Sequence, residues 1–62
     1  MSASSQHKIT VDGETIDIWV AKDGKSYRAW ATFRDRHITV RSDSESGAIS
    51  KWRESANHAA NE

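Results

Sequence analysis

The stretch SYRAWATFRDRHITVRS, residues 26–42, decides the fold that we predict for this chain. Apolar and small residues alternate in it with arginine, threonine and histidine, a pattern typical of strands that bury one face and expose the other. Asp35-Arg36 interrupts the alternation, and we predict a two-residue turn there. The stretch therefore predicts two paired strands, at 26–34 and 37–42.

Two Asp-Gly pairs, Asp12-Gly13 and Asp23-Gly24, stand upstream of this stretch, each between segments that contain β-branched residues. Asp-Gly tolerates the positive φ angles of two-residue hairpin turns, so it is a strong hairpin signal. We therefore predict two further strands, at 8–11 and 14–21.

Turns at Asp23-Gly24 and Asp35-Arg36 also predict the register of the strands. Small and apolar residues then oppose one another on one face, in the pairs Val20–Tyr27, Ile18–Ala29, Ala31–Val40 and Phe33–Ile38. The other face holds the pairs Trp19–Arg28, Trp30–Arg41 and Arg34–His37. A shift of one residue would mix the two faces, which favours this assignment.

The rest of the chain, SDSESGAISKWRESANHAANE at 42–62, changes to a helical period. Its apolar positions lie on one helix face, namely Ala48, Ile49, Trp52, Ala56 and Ala60. Ser44 is the expected N-cap, and Gly47 in the first turn weakens the helix by about 1 kcal/mol relative to alanine. We predict an α+β fold: an antiparallel β-meander of three to four strands with one C-terminal helix packed on one face. Residues 1–7 are predicted to be a disordered tail and residues 8–60 a single domain.

Length and composition narrow the classes of protein. The chain has 62 residues, nine basic and nine acidic side chains, and no cysteine. Disulfides and thiolate metal sites are therefore excluded, and a cytoplasmic location is expected. No apolar segment is long enough to span a membrane, so we expect no membrane partner. Because so short a chain buries only about 60% of its unfolded surface, a homodimer would help to stabilise it.

One helix covers one side of the sheet, so the other side stays exposed. We predict that this side is a binding surface formed by Trp19, Arg28, Trp30, Arg34, His37 and Arg41. Tryptophan and arginine are enriched at interface hot spots, and arginine also binds phosphates and guanine. The alternative is a purely structural role, because cross-strand aromatic and cation–π pairs stabilise small sheets.

The segment ATFRDRHITVRSDSESGAISKW, residues 31–52, resembles the AP2/ERF-type DNA-binding domains and the related arm-binding domains of integrases. In those families a strand reading roughly Ala-Glu-Ile-Arg-Asp precedes a turn, a third strand and a helix opened by threonine. Here Ala31-Thr32-Phe33-Arg34-Asp35, residues 36–42 and residues 44–52 follow in that order. The resemblance implies three strands plus a helix, with DNA contacted through Arg28, Trp30, Arg34 and Arg41.

Two other elements, Tyr27-Arg28-Ala29 and the segment 43–48, resemble the HicB-like antitoxin domain, which also runs from strands into a helix. That resemblance implies binding of a small toxin protein through the sheet. It keeps a protein partner open as the alternative to DNA.

Residues suited to catalysis or metal binding are not arranged for either. His7, His37 and His58 lack a ligand spacing, and the serines lack a neighbouring base arrangement. We therefore expect no enzyme activity, no cofactor and no metal. The leading hypothesis is a small module that binds double-stranded DNA through the exposed tryptophan and arginine side chains; the alternative is a protein-interaction module or a self-associating dimer.

Overall fold

A computed structural model describes residues 4–60. The elements in chain order are β1 (Ser5–Val11), β2 (Glu14–Asp23), β3 (Ser26–Phe33), β4 (Arg36–Ser42) and α1 (Glu45–Ala60). The strands form one antiparallel sheet in the order β1-β2-β3-β4, and α1 packs on one face of it, mainly over β3 and β4. The predicted α+β meander with a C-terminal helix is confirmed.

Three two-residue turns connect the strands. Asp12 and Gly13 have φ angles of 50° and 80°, as a type I′ turn requires at both central positions. Gly24 alone has a positive φ, 66°, in the turn between β2 and β3, as a type II′ turn requires. Arg34 and Asp35, at 49° and 67°, form another type I′ turn.

The register of the last three strands differs from the prediction by two residues. Val20 lies opposite Ala29 and Ala31 opposite Ile38, because the turns are Gly24-Lys25 and Arg34-Asp35. Since side chains alternate with a period of two, a shift by two residues leaves each side chain that remains in a strand on its predicted face. The alternation of apolar and polar residues excluded a register shift of one residue, but it is equally compatible with a shift of two.

Strand β1 begins earlier than predicted. It includes Ser5, Gln6 and His7, which pair with Val20, Trp19 and Ile18. These three residues were predicted to belong to the tail; residues 1–3 of that tail lie outside the described residues. The His7 ring also joins β1 to the helix, because its Nε2 forms a 3.0 Å hydrogen bond with Glu45 Oε2.

The core lies between the sheet and one face of α1. Trp52 is its largest side chain and is completely buried, with Ala48 and Ala56 one helical turn before and after it. Beneath the helix, β3 contributes the small buried residues Ala29 and Ala31, which let the helix approach the sheet closely. The remaining fully enclosed residues of this cluster are Val11, Ile18, Val20 and Phe33.

Trp52 also makes the polar contact that orients the helix. Its Nε1 donates a 2.9 Å hydrogen bond to the backbone oxygen of Ile38 in β4. A second bond joins the same two elements, from Lys51 Nζ to the backbone oxygen of Arg41 at 3.2 Å. Residues 4–60 contain no helix with the length and apolar character that spanning a bilayer requires.

The start of α1 follows the sequence prediction. The Gly47 backbone N–H donates a 3.1 Å hydrogen bond to Ser44 Oγ, the bond that an N-cap serine makes to the third residue of a helix. Glu45 in the first turn suits the positive end of the helix dipole. Gly47 has a steric role as well, because a Cβ there would lie 2.5 Å from Ser42 Oγ and 2.8 Å from Ser44 Oγ.

Substitution of Trp52 tests its place in the core. We expect Trp52→Phe to lower the free energy of unfolding by about 2–4 kcal/mol, since it removes buried ring volume and the donor to Ile38. Trp19→Phe, a change of the same type at an exposed position, should alter it by no more than about 0.5 kcal/mol. Urea denaturation followed by circular dichroism measures both. Equal losses would contradict the described core.

Substitution of Gly47 tests the crowding at the N-cap. Helix propensity alone would make Gly47→Ala stabilising by about 1 kcal/mol. We expect no such gain, because the new methyl group displaces the Ser44 hydroxyl from its capping bond. The matched control is Ser50→Ala at an exposed helix position, which should stabilise by about 0.5 kcal/mol. A full gain at position 47, by the same denaturation measurement, would show that the cap tolerates the methyl group.

Candidate functional site

The open face is the side of the sheet opposite α1. Strand alternation gives it the residues Gln6, Lys8, Thr10, Thr15, Asp17, Trp19, Ala21, Asp23, Ser26, Arg28, Trp30, Thr32, His37, Thr39 and Arg41. Five of the six predicted binding residues belong to this set, and Arg34 is the exception. Strand β1 adds polar side chains that the sequence prediction did not include.

The two tryptophans of the open face lie side by side. Trp19 is directly opposite Trp30, where the predicted register had set each of them against an arginine. Gln6 and Thr39 continue this row across the outer strands. Trp19 keeps 39% of its surface exposed, the highest value for a large apolar residue among those described, and Trp30 is half-buried. The centre of the open face is therefore aromatic.

The next row of the open face holds Arg28 and Arg41, and the carboxylate of Asp23 reaches both from the row beyond, where Asp23 lies opposite Ser26. Arg28 lies directly opposite Arg41, and like charges in such positions destabilise a strand pair. Asp23 relieves the repulsion: its Oδ2 accepts hydrogen bonds from Arg28 Nη2 at 2.9 Å and from Arg41 Nη2 at 3.1 Å. About half of each of these side chains is exposed. Two positive charges thus share one negative charge.

Arg34 lies away from the aromatic row, because β3 ends at Phe33 and Arg34 belongs to the following turn. Its guanidinium donates hydrogen bonds to Asp12 Oδ2 at 3.0 Å and to Glu14 Oε2 at 3.2 Å. The guanidinium carbon, Arg34 Cζ, lies 4.9 Å from the centroid of the Phe33 ring. The hydrogen bond to Asp12 raises the pKa of Arg34 above its usual value, and the hydrogen bond to Glu14 raises it further by a smaller amount. Arg34 therefore joins two turns at one end of the sheet.

The remaining charges of the open face largely cancel. Lys8 Nζ lies 4.0 Å from Asp17 Oδ1. His37 is exposed on β4 and lies opposite Thr32, whereas the predicted register set it opposite Arg34. With neutral histidine, three basic residues, Lys8, Arg28 and Arg41, and two acidic ones, Asp17 and Asp23, give the face a formal charge of +1.

Asp23 is the site residue that the sequence prediction missed. It was interpreted as a turn residue, and the shift of two residues makes it the last residue of β2 instead. No local signal in the sequence distinguishes the two, because Gly24 serves either turn. Ala21 was missed for the same reason: it lies opposite Arg28 and between Trp19 and Asp23 along β2. Its side chain is much smaller than the two arginine side chains of the same row.

The opposite side of the molecule has a concave region of about 440 Å³ between β4 and α1. It is lined by Val40, Lys51, Glu54, Ser55 and His58. Residues 4–60 contain no group of three or more histidine, aspartate or glutamate side chains arranged to hold a metal ion.

Comparison with known proteins adds nothing to the geometry: no family model, no curated protein and no solved structure matches this chain.

The exposure of the tryptophans is testable by fluorescence quenching. We expect Trp19→Phe to reduce the quenching of tryptophan fluorescence by acrylamide more than Trp30→Phe does, because Trp19 is more exposed. Trp52, which is completely buried, should supply a residual emission that acrylamide hardly quenches in either variant. A larger effect of Trp30→Phe would contradict the described arrangement of the open face.

Proposed function

We propose that this chain is a small binding module and that its open face binds nucleic acid. The observation that carries the proposal is the juxtaposition of the Trp19–Trp30 pair with the Arg28–Arg41 pair in the adjacent row. Aromatic side chains bind bases by stacking, and arginine binds the phosphates of the backbone. The two kinds of contact are therefore available side by side on one surface.

The spacing of the two rows supports this function. Arg28 and Trp30 are two residues apart on the same strand, which corresponds to about 6.7 Å along it. A base and the phosphate of its own nucleotide are separated by a similar distance. Stacking of one base on an aromatic side chain contributes about 1–3 kcal/mol. One nucleotide could thus contact both rows.

The other predicted residues have lesser roles in this proposal. Arg34 is already bound to Asp12 and Glu14 at the end of the sheet, so we assign it at most a peripheral phosphate contact. His37 belongs to the open face and is exposed on the edge strand β4, outside the rows of the tryptophan and arginine pairs. The expectations that the chain has no enzyme activity and no cofactor, and that it is cytoplasmic, stay predictions.

A protein partner is the second candidate, and the charge of the open face favours it. The ion pairs leave a formal charge of only +1 around a partly exposed tryptophan pair, and an aromatic centre with a polar rim is the usual anatomy of a protein interface. A second copy of the chain fits in size. The molecule extends 35 × 17 × 17 Å along its principal axes, so two open faces would bury at most about 1,200 Å² in total, the lower end for stable interfaces.

A titration with oligonucleotides tests the leading candidate. Amide and indole NMR shifts of the labelled protein should move only on the open face when a mixed-sequence DNA is added, and should return as salt rises from about 50 to about 200 mM. We expect Arg41→Ala to weaken binding by about tenfold and to lower the salt slope by about 1. The matched control is Arg53→Ala, which removes the same charge from the exposed side of α1 and should change little.

Two results would reject nucleic-acid binding at this face. One is equal weakening by Arg41→Ala and Arg53→Ala, which would indicate attraction by overall charge alone. The other is a spectrum that no oligonucleotide changes. In the second case, sedimentation of the wild-type chain and of Trp19→Ala decides whether a homodimer forms through the tryptophan pair.

A further inference from the structure

We propose that Arg28 and Arg41 form a phosphate site which Asp23 occupies in the free protein, and that the ligand of the open face is a single-stranded nucleic acid. This inference rests on the proposed function and specifies its ligand. In the complex, a backbone phosphate takes the place of the Asp23 carboxylate, and the base of the same nucleotide stacks on the tryptophan pair.

The convergence of the two arginines is the first argument. Their Nη2 atoms donate to one and the same oxygen, Asp23 Oδ2, from two neighbouring strands. Two guanidinium groups that point at one oxygen have the geometry in which phosphate oxygens are bound. One phosphodiester carries the same single negative charge as the carboxylate, so it can compensate the two arginines as Asp23 does in the free protein.

The ease of exchange is the second argument. The Asp23 side chain is 46% exposed and lies at the end of β2, next to the Gly24 turn. Exposed ion pairs contribute little to stability, so the carboxylate can turn into water without a large penalty. Ala21, opposite Arg28 on β2, carries only a methyl group, so the residue beside the arginines brings no charged side chain that would compete with the incoming group.

The choice of a single strand is the third argument. Stacking on tryptophan needs the flat face of a base, and only unpaired bases offer it. A duplex offers phosphates and base edges instead, and its affinity depends on several cations that are free to contact phosphates. The open face has a formal charge of only +1. Because the open face offers a stacking surface and little net charge, we infer a single strand as its ligand, in place of the duplex DNA expected from the sequence.

Asp23→Asn is the direct test, because it removes the competing charge and keeps the size of the side chain. The probe is an unstructured mixed-sequence DNA oligonucleotide, with its duplex measured in parallel by the fluorescence of the labelled oligonucleotide. We expect Asp23→Asn to tighten single-strand binding by up to about fivefold, the range that an exposed ion pair allows. The matched control, Asp17→Asn, removes an identical charge from the open face and should tighten binding clearly less.

The outcomes separate this inference from the function on which it rests. Equal effects of Asp23→Asn and Asp17→Asn, or tighter binding of the duplex than of the single strand, would overturn the phosphate site or the choice of ligand while nucleic-acid binding stands. If neither the wild type nor Asp23→Asn binds either probe, the proposed function itself fails. The amide spectrum of Asp23→Asn should match that of the wild type except at position 23 and its neighbours Ser26, Arg28 and Arg41. Such a match verifies that the variant is folded.

Discussion

The packing of Trp52 between α1 and the sheet is the interaction on which the rest of the structure depends. A sheet of four strands must cover at least one apolar face, and the described part of the chain, residues 4–60, has one helix of 16 residues with which to do so. Trp52 fills the space above the alanines of β3, and its bond to Ile38 holds the helix over β3 and β4. Within residues 4–60 nothing covers the other face. The exposure of the open face is thus a direct consequence of one-sided packing.

Charge compensation then determines the character of that surface. Carboxylates at the ends and turns of the strands bind the arginines: Asp23 binds Arg28 and Arg41, while Asp12 and Glu14 bind Arg34. The free protein therefore has little net attraction for a polyanion, although its guanidinium groups remain half-exposed. Because exposed ion pairs are weak, a ligand can compete for the arginines. In the proposed function, the open face selects its ligand by stacking and shape, with charge as a second requirement.

Much of the candidate site follows from alternation alone. Trp19, Arg28, Trp30 and Arg41 share one face in any register that differs by an even number of residues, so their common exposure was predictable. The neighbours of each residue were not. The pairing of Trp19 with Trp30 depends on the turn between β2 and β3, where Gly24 suits both candidate turns. The contact of Asp23 with two arginines depends also on the turn between β3 and β4, which sets Arg28 against Arg41. Arg34 left the face because the last turn begins one residue earlier than predicted.

The sequence by itself determined the elements and their faces, since strand alternation, helical period and the Ser44 cap are local patterns that short-range sterics and hydrogen bonding enforce. Only the tertiary structure decided the register of the strands, the early start of β1 and the bond of His7 to Glu45, which joins residues 38 positions apart. The reason is that a shift of two residues changes no face and no local propensity. It changes only which side chains meet across the strands and under the helix, and those contacts exist only once the chain has folded.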